Sequence, residues 1–482
     1  MIDLSIHEAG LERAVRRARE RNIIIPTFEQ QRNPALIPDA VKSRLGDIGL
    51  WDLNPANLFR ITWRNEPTEF GGGYGDVNAI EFPPELTGVP ARIVMIVGKW
   101  FPTGAHKVGA AYSVLVEKEL FGEVDPSQHT LVWPSTGNYG IGGAWVGCRM
   151  GFDGIVVLPA EMSQERFERI RSYGARVIAT PGSESNVKEI YDKTWELRRD
   201  PKVRVLNQFE VMGNYRFHYY VTGNTIVELA ALLHSQGIGN GKIAAYCSAM
   251  GSAGTIAAGD RLKQVWPDHR IIGLEPVQCP TMYNNGYGSH DIQGIGDKHV
   301  TWIHNVNNMD AIMLINDIET KLGLQLFADE GGLKALVDRF GIAQETVDYL
   351  KTRLGISSIC HIFGAIKTVK YYGLGKGDLV VTVATDGLDR YGSVMNAMRR
   401  DYGVVDETEA VARVRSLFHG LRTDYVWEGN WENRARWRNL KYFTWVEQQG
   451  KTVQELDAQR DPAWWEAEQA RVQGIDAKQL EY

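Results

Sequence analysis

From about residue 95 to residue 400 the chain alternates short apolar runs, each closed by a glycine-rich turn, with stretches of helical spacing, and this alternation constrains the fold more than any other feature. Gly154 to Leu158 reads as a strand buried on both faces, because it offers no polar position to solvent. Ser163 to Tyr173 follows as a helix capped by Ser163 and stopped by Gly174, and Arg176 to Ala179 is the next strand. The pattern recurs at Lys242 to Tyr246, Arg270 to Leu274 and Leu379 to Ala384. Strands that alternate with helices build parallel sheets with helical crossovers, so the fold class is α/β with two sheets. A chain of 482 residues is too long for one ordinary core, which points to two or more domains.

Several function classes are excluded early. Apolar residues make up 44% and charged residues 23%, an ordinary globular balance. No apolar segment is long enough to span a membrane, and the first 22 residues form a charged helical pattern without the apolar core of a signal peptide. A cytoplasmic location is expected. The net charge of -6 provides no attraction to phosphate backbones, so nucleic acid is not an expected partner. Cys148, Cys247, Cys279 and Cys360 are scattered without a CxxC pair and read as buried small hydrophobes, not as a disulfide or metal framework. Beyond residue 400, Glu, Arg, Gln and Trp dominate and strands are not expected. The spacing of Trp427, Trp431, Trp437, Trp445, Trp464 and Trp465 suits helices packed on the body or on a neighbouring subunit.

Three turns carry chemistry. Pro102-Thr103-Gly104-Ala105-His106-Lys107 delivers a lysine to the start of an amphipathic helix, with Val108, Tyr112, Leu115 and Val116 on one face. Apolar neighbours favour the neutral amine, the form that condenses with an aldehyde. Ser135-Thr136-Gly137-Asn138 follows the strand at Leu131 to Trp133 and crowds hydroxyls, an amide and backbone N–H groups into one turn, which suits a carboxylate or a cofactor oxygen. Gly251-Ser252-Ala253-Gly254-Thr255 lies between a strand and a helix start, where N–H donors and the helix dipole hold a phosphate without a basic side chain. It has neither the lysine of a Walker loop nor the spacing of a dinucleotide fingerprint. Together the turns form a coherent site for a phosphorylated aldehyde cofactor, as pyridoxal phosphate is. Gly355-Ile356-Ser357-Ser358 and Thr385-Asp386-Gly387 also stand out, without a role of their own.

In collinear order from about Lys99 to Ser393, these segments resemble the fold-type II pyridoxal-phosphate enzymes, and among them the cysteine synthase and cystathionine β-synthase group. Asn207-Gln208-Phe209-Glu210 with His218-Tyr219 and Thr222-Gly223, Gly273-Leu274-Glu275-Pro276, and Ile292-Gln293-Gly294-Ile295-Gly296 extend the resemblance. It implies that Lys107 carries pyridoxal 5'-phosphate as an internal aldimine, that Asn138 bonds the ring hydroxyl, and that Gly251, Ser252, Ala253, Gly254 and Thr255 hold the phosphate. Ser135, Thr136, Gly137 and Gln208 would hold the carboxylate of an amino-acid substrate, with Gly296 at the site's mouth. The implied fold has a large cofactor domain (1–104 and 219–400), a small substrate domain (105–218), each with a mostly parallel twisted sheet flanked by helices, and a helical extension (401–482); the implied assembly is a homodimer. The implied reaction is β-replacement or β-elimination on a serine- or cysteine-like amino acid through an aminoacrylate. A serine/threonine dehydratase, a tryptophan-synthase-like enzyme and a non-catalytic cofactor-binding regulator are the alternatives.

Departures from the group's pattern are specific. Thr103 to Lys107 is more similar to the tryptophan synthase β subunit, and Val108-Gly109 follow where cysteine synthases usually carry Asp-Arg. Gly387 falls on the group's serine for the pyridine nitrogen, which leaves Thr385 or Asp386. Strand parity puts Thr385 toward the site and Asp386 away from it. The group's entry motif is faint at Asn65-Glu66-Pro67-Thr68, and the tryptophan-rich tail has no counterpart.

Overall fold

In the computed structural model, which describes residues 7–67, 72–135, 137–162, 164–182 and 187–482, two sheets stack their strands as the alternation requires. The strands, in chain order, are β1 (Ala79–Phe82), β2 (Arg92–Val97), β3 (Thr130–Pro134), β4 (Asp153–Pro159), β5 (Arg176–Thr180), β6 (Val203–Val205), β7 (Ile243–Ala249), β8 (Arg270–Pro276), β9 (Ala311–Ile315), β10 (Leu379–Ala384) and β11 (Val426–Glu428). One sheet has the order β1-β2-β10-β7-β8-β9-β11, and the other β5-β4-β3-β6. The smaller sheet is parallel throughout. In the larger, the five central strands are parallel, while β1 and β11 close the edges antiparallel. Every residue of β9 and β10 is buried, as an unbroken apolar run in a sheet covered on both faces should be.

Alternation along β2 divides two cores. Val94 and Ile96 join the core that holds Trp133, Val156 and the helix Lys107–Leu120. Ile93, Met95 and Val97 face the other way, into the core beneath the helix Ile356–Tyr372. The helix Lys107–Leu120 therefore runs between the sheets, and every residue from Val108 to Glu117 is buried. The helix is not amphipathic as its spacing predicts, because other helices cover it on more than one side. Gly142 and Gly213 make the crossings close, since a Cβ on either would lie 2.9 Å from the Val108 Cα or 3.1 Å from the Val114 Cα.

The tail is docked on this body and contains one strand, contrary to expectation. Val426 to Glu428 pairs with β9, with Val426 opposite Met313 and Trp427 opposite Ile312. Trp437 and Trp445 are fully buried, whereas Trp431 is 82% exposed. Two polar latches fix the tail. Lys441 Nζ donates to the carbonyls of Trp302 (2.9 Å) and His304 (2.7 Å) and to Gln459 Oε1 (2.6 Å), so each ammonium hydrogen has an acceptor. Arg216 is buried between Glu117 of the lysine-bearing helix, reached at 3.0 Å through Nε, and Glu468 of the last helix, at 2.6 Å. No helix among the described residues is long and apolar enough to cross a membrane.

Where the last helix meets the helix Lys107–Leu120, the Tyr482 hydroxyl donates to Glu119 at 2.8 Å. Burial pushes the Glu119 carboxyl up to about 8, against the opposing effect of that hydrogen bond. A carboxyl whose folded-state value is raised holds its proton more tightly when folded. Its contribution is thus fully present below the ordinary carboxylate range and lost as pH rises through about 8. Glu119→Gln, which keeps an acceptor for Tyr482, is expected to flatten the decline of Tm between about pH 5 and pH 8. An unchanged slope in calorimetry across that window would show that another group governs it.

Candidate functional site

The lysine turn is built from the ends of two neighbouring strands. Gly98, just past β2, donates its N–H to the Ala384 carbonyl of β10 at 2.7 Å. Thr103 (φ 68°) and Gly104 (φ 73°) then adopt left-handed conformations in succession, which for a threonine costs roughly 1–2 kcal/mol. The Arg390 guanidinium holds this conformation by donating to the Thr103 carbonyl. Lys107 emerges as the first residue of its helix, and its Nζ donates to the Gly294 carbonyl at 3.3 Å.

His106 ties three segments together. Its main-chain N–H donates to the Thr385 carbonyl at 3.2 Å, its Nδ1 lies 3.4 Å from the same oxygen, and its Nε2 lies 2.8 Å from Thr255 Oγ1. Burial, with the Lys107 charge adding to it, drives the imidazole down to about 3. The ring is therefore neutral. Because a carbonyl can only accept, Nδ1 carries the hydrogen and Nε2 accepts from the Thr255 hydroxyl.

The loop from Gly251 to Thr255 leaves β7 and enters the helix Ala258–Val265 through a short 3-10 turn. Its glycines are required by close approach. A Cβ on Gly251 would sit 2.8 Å from the Gly294 carbonyl oxygen, and one on Gly254 would sit 1.9 Å from Asn214 Oδ1. Asn214 Nδ2 in turn donates to the Gln208 carbonyl (2.9 Å) and to Ser252 Oγ (3.1 Å). Gly296 donates its N–H to the Met250 carbonyl at 2.9 Å and accepts from His290 Nε2 at 3.0 Å, so Gly294 and not Gly296 meets the lysine.

In the second turn, Ser135 Oγ accepts from the N–H groups of Gly137 (2.9 Å) and Gly140 (2.8 Å). Thr136 lies outside the described residues. Asn138 opens the next helix with both ends of its amide engaged: Nδ2 donates to Asp386 Oδ2 at 2.7 Å, and Oδ1 accepts from Arg390 Nη1 at 2.9 Å. The hydroxyls of Thr385 and Ser357 are 2.7 Å apart. Asp386 was expected to turn away from these residues and instead reaches Asn138. Since β10 ends at Ala384, strand parity no longer governs the next two positions.

Buried polar atoms are normally paired, yet Thr103 Oγ1, Gln208 Oε1 and Asp386 Oδ1 have no partner among the described residues. Orphaned polar atoms in the lysine turn, the glutamine segment and the β10 end fit a site that takes up a polar group. A lysine amine, a loop of backbone N–H groups without a basic side chain, and amide and hydroxyl donors are the set a phosphorylated aldehyde needs. Of the residues singled out in the sequence, the structure gathers Lys107, Asn138, Gly251 to Thr255 and Thr385 into one connected network, with Gln208 joined through Asn214. Asn214, Arg390 and Tyr391 were not read from sequence. An isolated Asn214 gives no signal, whereas the other two sit just beyond Thr385 and could have been considered with it.

The family described as pyridoxal-phosphate dependent enzyme matches residues 100–335. Cysteine synthase of Staphylococcus aureus is 30% identical over 293 residues, spanning 60% of this chain and 84% of its own length. An O-acetylserine-dependent cystathionine beta-synthase from Helicobacter pylori superposes with a TM-score of 0.54 at 26% identity, over 65% of this chain and 94% of that one. A cysteine synthase from Entamoeba histolytica shares the fold, with a TM-score of 0.57 at 22% identity over 70% of this chain and 92% of that one.

Proposed function

We propose, because this chain belongs to the pyridoxal-phosphate-dependent enzymes of the cysteine synthase group, that it exchanges the β-substituent of a serine- or cysteine-like amino acid for a nucleophile such as a thiol, or eliminates it when none is present. Its dependence on pyridoxal phosphate follows from the family. The observation that supports it most is the contact of Lys107 Nζ with Gly294 at 3.3 Å, beside a loop whose Gly251 packs on the same carbonyl.

Bound there, pyridoxal phosphate supplies an electron sink conjugated to the substrate's Cα, which acidifies the Cα–H and lets a β-substituent leave. Lys107 would hold the cofactor, and its amine would take and return the proton at the substrate's Cα. The N–H groups of Gly251 to Thr255 hold the phosphate at the helix start. Asn138 would donate to the ring hydroxyl oxygen, and the neutral Thr385 hydroxyl would partner the pyridine nitrogen. Ser135, Thr136, Gly137 and Gln208 bind the substrate carboxylate, with Gly296 at the mouth. Residues 105–218 would move as the substrate domain against 1–104 and 219–400, within a cytoplasmic homodimer.

The test presents O-acetyl-L-serine, L-serine and L-cysteine singly to the holoenzyme, with and without 2-mercaptoethanol. At least one is expected to change the visible spectrum and, with the thiol, to yield the S-substituted amino acid. Release of 2-oxo acid alone in both arms would make the enzyme an eliminating lyase. No spectral change with any of the three would overturn the proposal.

A further inference from the structure

We propose that Asp386 is a positioning residue whose work is to set the amide of Asn138, and that Asn138 is thereby presented to the cofactor as a donor; the inference rests on the cofactor site proposed above. An asparagine amide has two N–H donors and one oxygen, and its two ends can be exchanged by a half-turn of the side chain. Here that turn is blocked. Asp386 Oδ2 accepts one Asn138 N–H at 2.7 Å, and Arg390 Nη1 donates to the Asn138 oxygen at 2.9 Å. An exchanged amide would set oxygen against Asp386 and N–H against the guanidinium, losing both bonds.

Asp386 is itself fixed from two sides. The Tyr391 hydroxyl donates to the same Oδ2 at 2.9 Å. On the other side, Gly355 leaves room for Oδ1, since a Cβ there would lie 2.0 Å from it. Asn138 and Asp386 are both more than nine-tenths buried, and 248 residues separate them in sequence, so the bond joins the helix after β3 to the end of β10. With Oδ1 taken by Arg390 and one hydrogen by Asp386, the second N–H is the remaining donor of Asn138. A donor with a single allowed orientation favours a ligand oxygen over a ligand N–H at that position, which suits the cofactor's ring oxygen. Asp386 acts through Asn138, its other oxygen lying on the Gly355 side.

The test measures pyridoxal-phosphate affinity by titrating cofactor-free protein, and the absorbance of the bound cofactor, in a double-mutant cycle of Asp386→Ala and Asn138→Ala. Each single variant is expected to bind about tenfold more weakly with the same spectral change, the size of one hydrogen bond to a charged group. The double variant should be no worse than Asn138→Ala. Asp386→Asn, whose amide oxygen can accept from both Asn138 and Tyr391, should recover most of the affinity. If Asp386→Ala does not fold, Asn138→Asp supplies the arm: it places oxygen against Asp386 and should bind less well than Asn138→Ala. Additive losses in the cycle, an Asp386→Asn variant as poor as Asp386→Ala, or equal binding by Asn138→Asp and Asn138→Ala would overturn the inference and make Asp386 a direct partner of the cofactor. Failure of the unaltered protein to bind pyridoxal phosphate would instead overturn the site assignment beneath it.

Discussion

Replacing Lys107 with alanine is expected to leave a folded protein that loses its cofactor on dialysis and turns over substrate at least about 10²–10⁴-fold more slowly, the range a positioned proton-transfer group contributes. Folding should survive because alanine is a strong helix former and Lys107 is the first residue of its helix and only partly buried. What is lost is the amine that the left-handed turn at Thr103 and Gly104 aims at Gly294. Borohydride reduction of the unaltered holoenzyme followed by peptide mapping should find the cofactor on Lys107. A label on another lysine would reassign the site, whatever the activity of the variant.

A nearly equal loss of cofactor is expected from Gly254→Ala. The added Cβ would lie 1.9 Å from Asn214 Oδ1, and Asn214 cannot retreat without giving up its bonds to Gln208 and Ser252. Losing that geometry together with loop N–H contacts to a phosphate amounts to two or more hydrogen bonds, or roughly a hundredfold in cofactor affinity. Gly254→Asp should be worse, because it adds negative charge where the phosphate is to sit. Thermal unfolding of the cofactor-free protein should change far less than affinity does, since the loop lies at a strand end. Full cofactor occupancy of either variant after dialysis would place the phosphate elsewhere.

Legibility in the sequence followed the physics of burial. β10 runs from Leu379 to Ala384 as its apolar pattern indicates, because a strand covered on both faces has nothing polar to blur its ends. β7 continues to Ala249 although its apolar pattern stops at Tyr246. Cys247, Ser248 and Ala249 are small and lie beyond the run read as the strand, yet all three are buried in the sheet. β11 escaped notice because three residues carry no period and Val426-Trp427-Glu428 lies in the connection between two helical segments. In the site, the lysine and glycine turns were legible since their residue types are tied to backbone conformation and to phosphate. Asp386 was misplaced because parity was carried past the end of its strand. Asn214 acts only through contacts with segments distant in sequence, which no local pattern encodes.

The buried ion triad of Glu117, Arg216 and Glu468 has a consequence for biosynthesis. Arg216 and Glu468 are 252 residues apart, which at about 5–20 residues per second is roughly 13–50 s of translation. Throughout that interval the helix that carries Lys107 has its arginine partner but not the second carboxylate. The lysine-bearing helix therefore reaches its final packing only after nearly the whole chain has been made, as does the larger sheet, whose β2 and β10 pair Arg92 with Leu379.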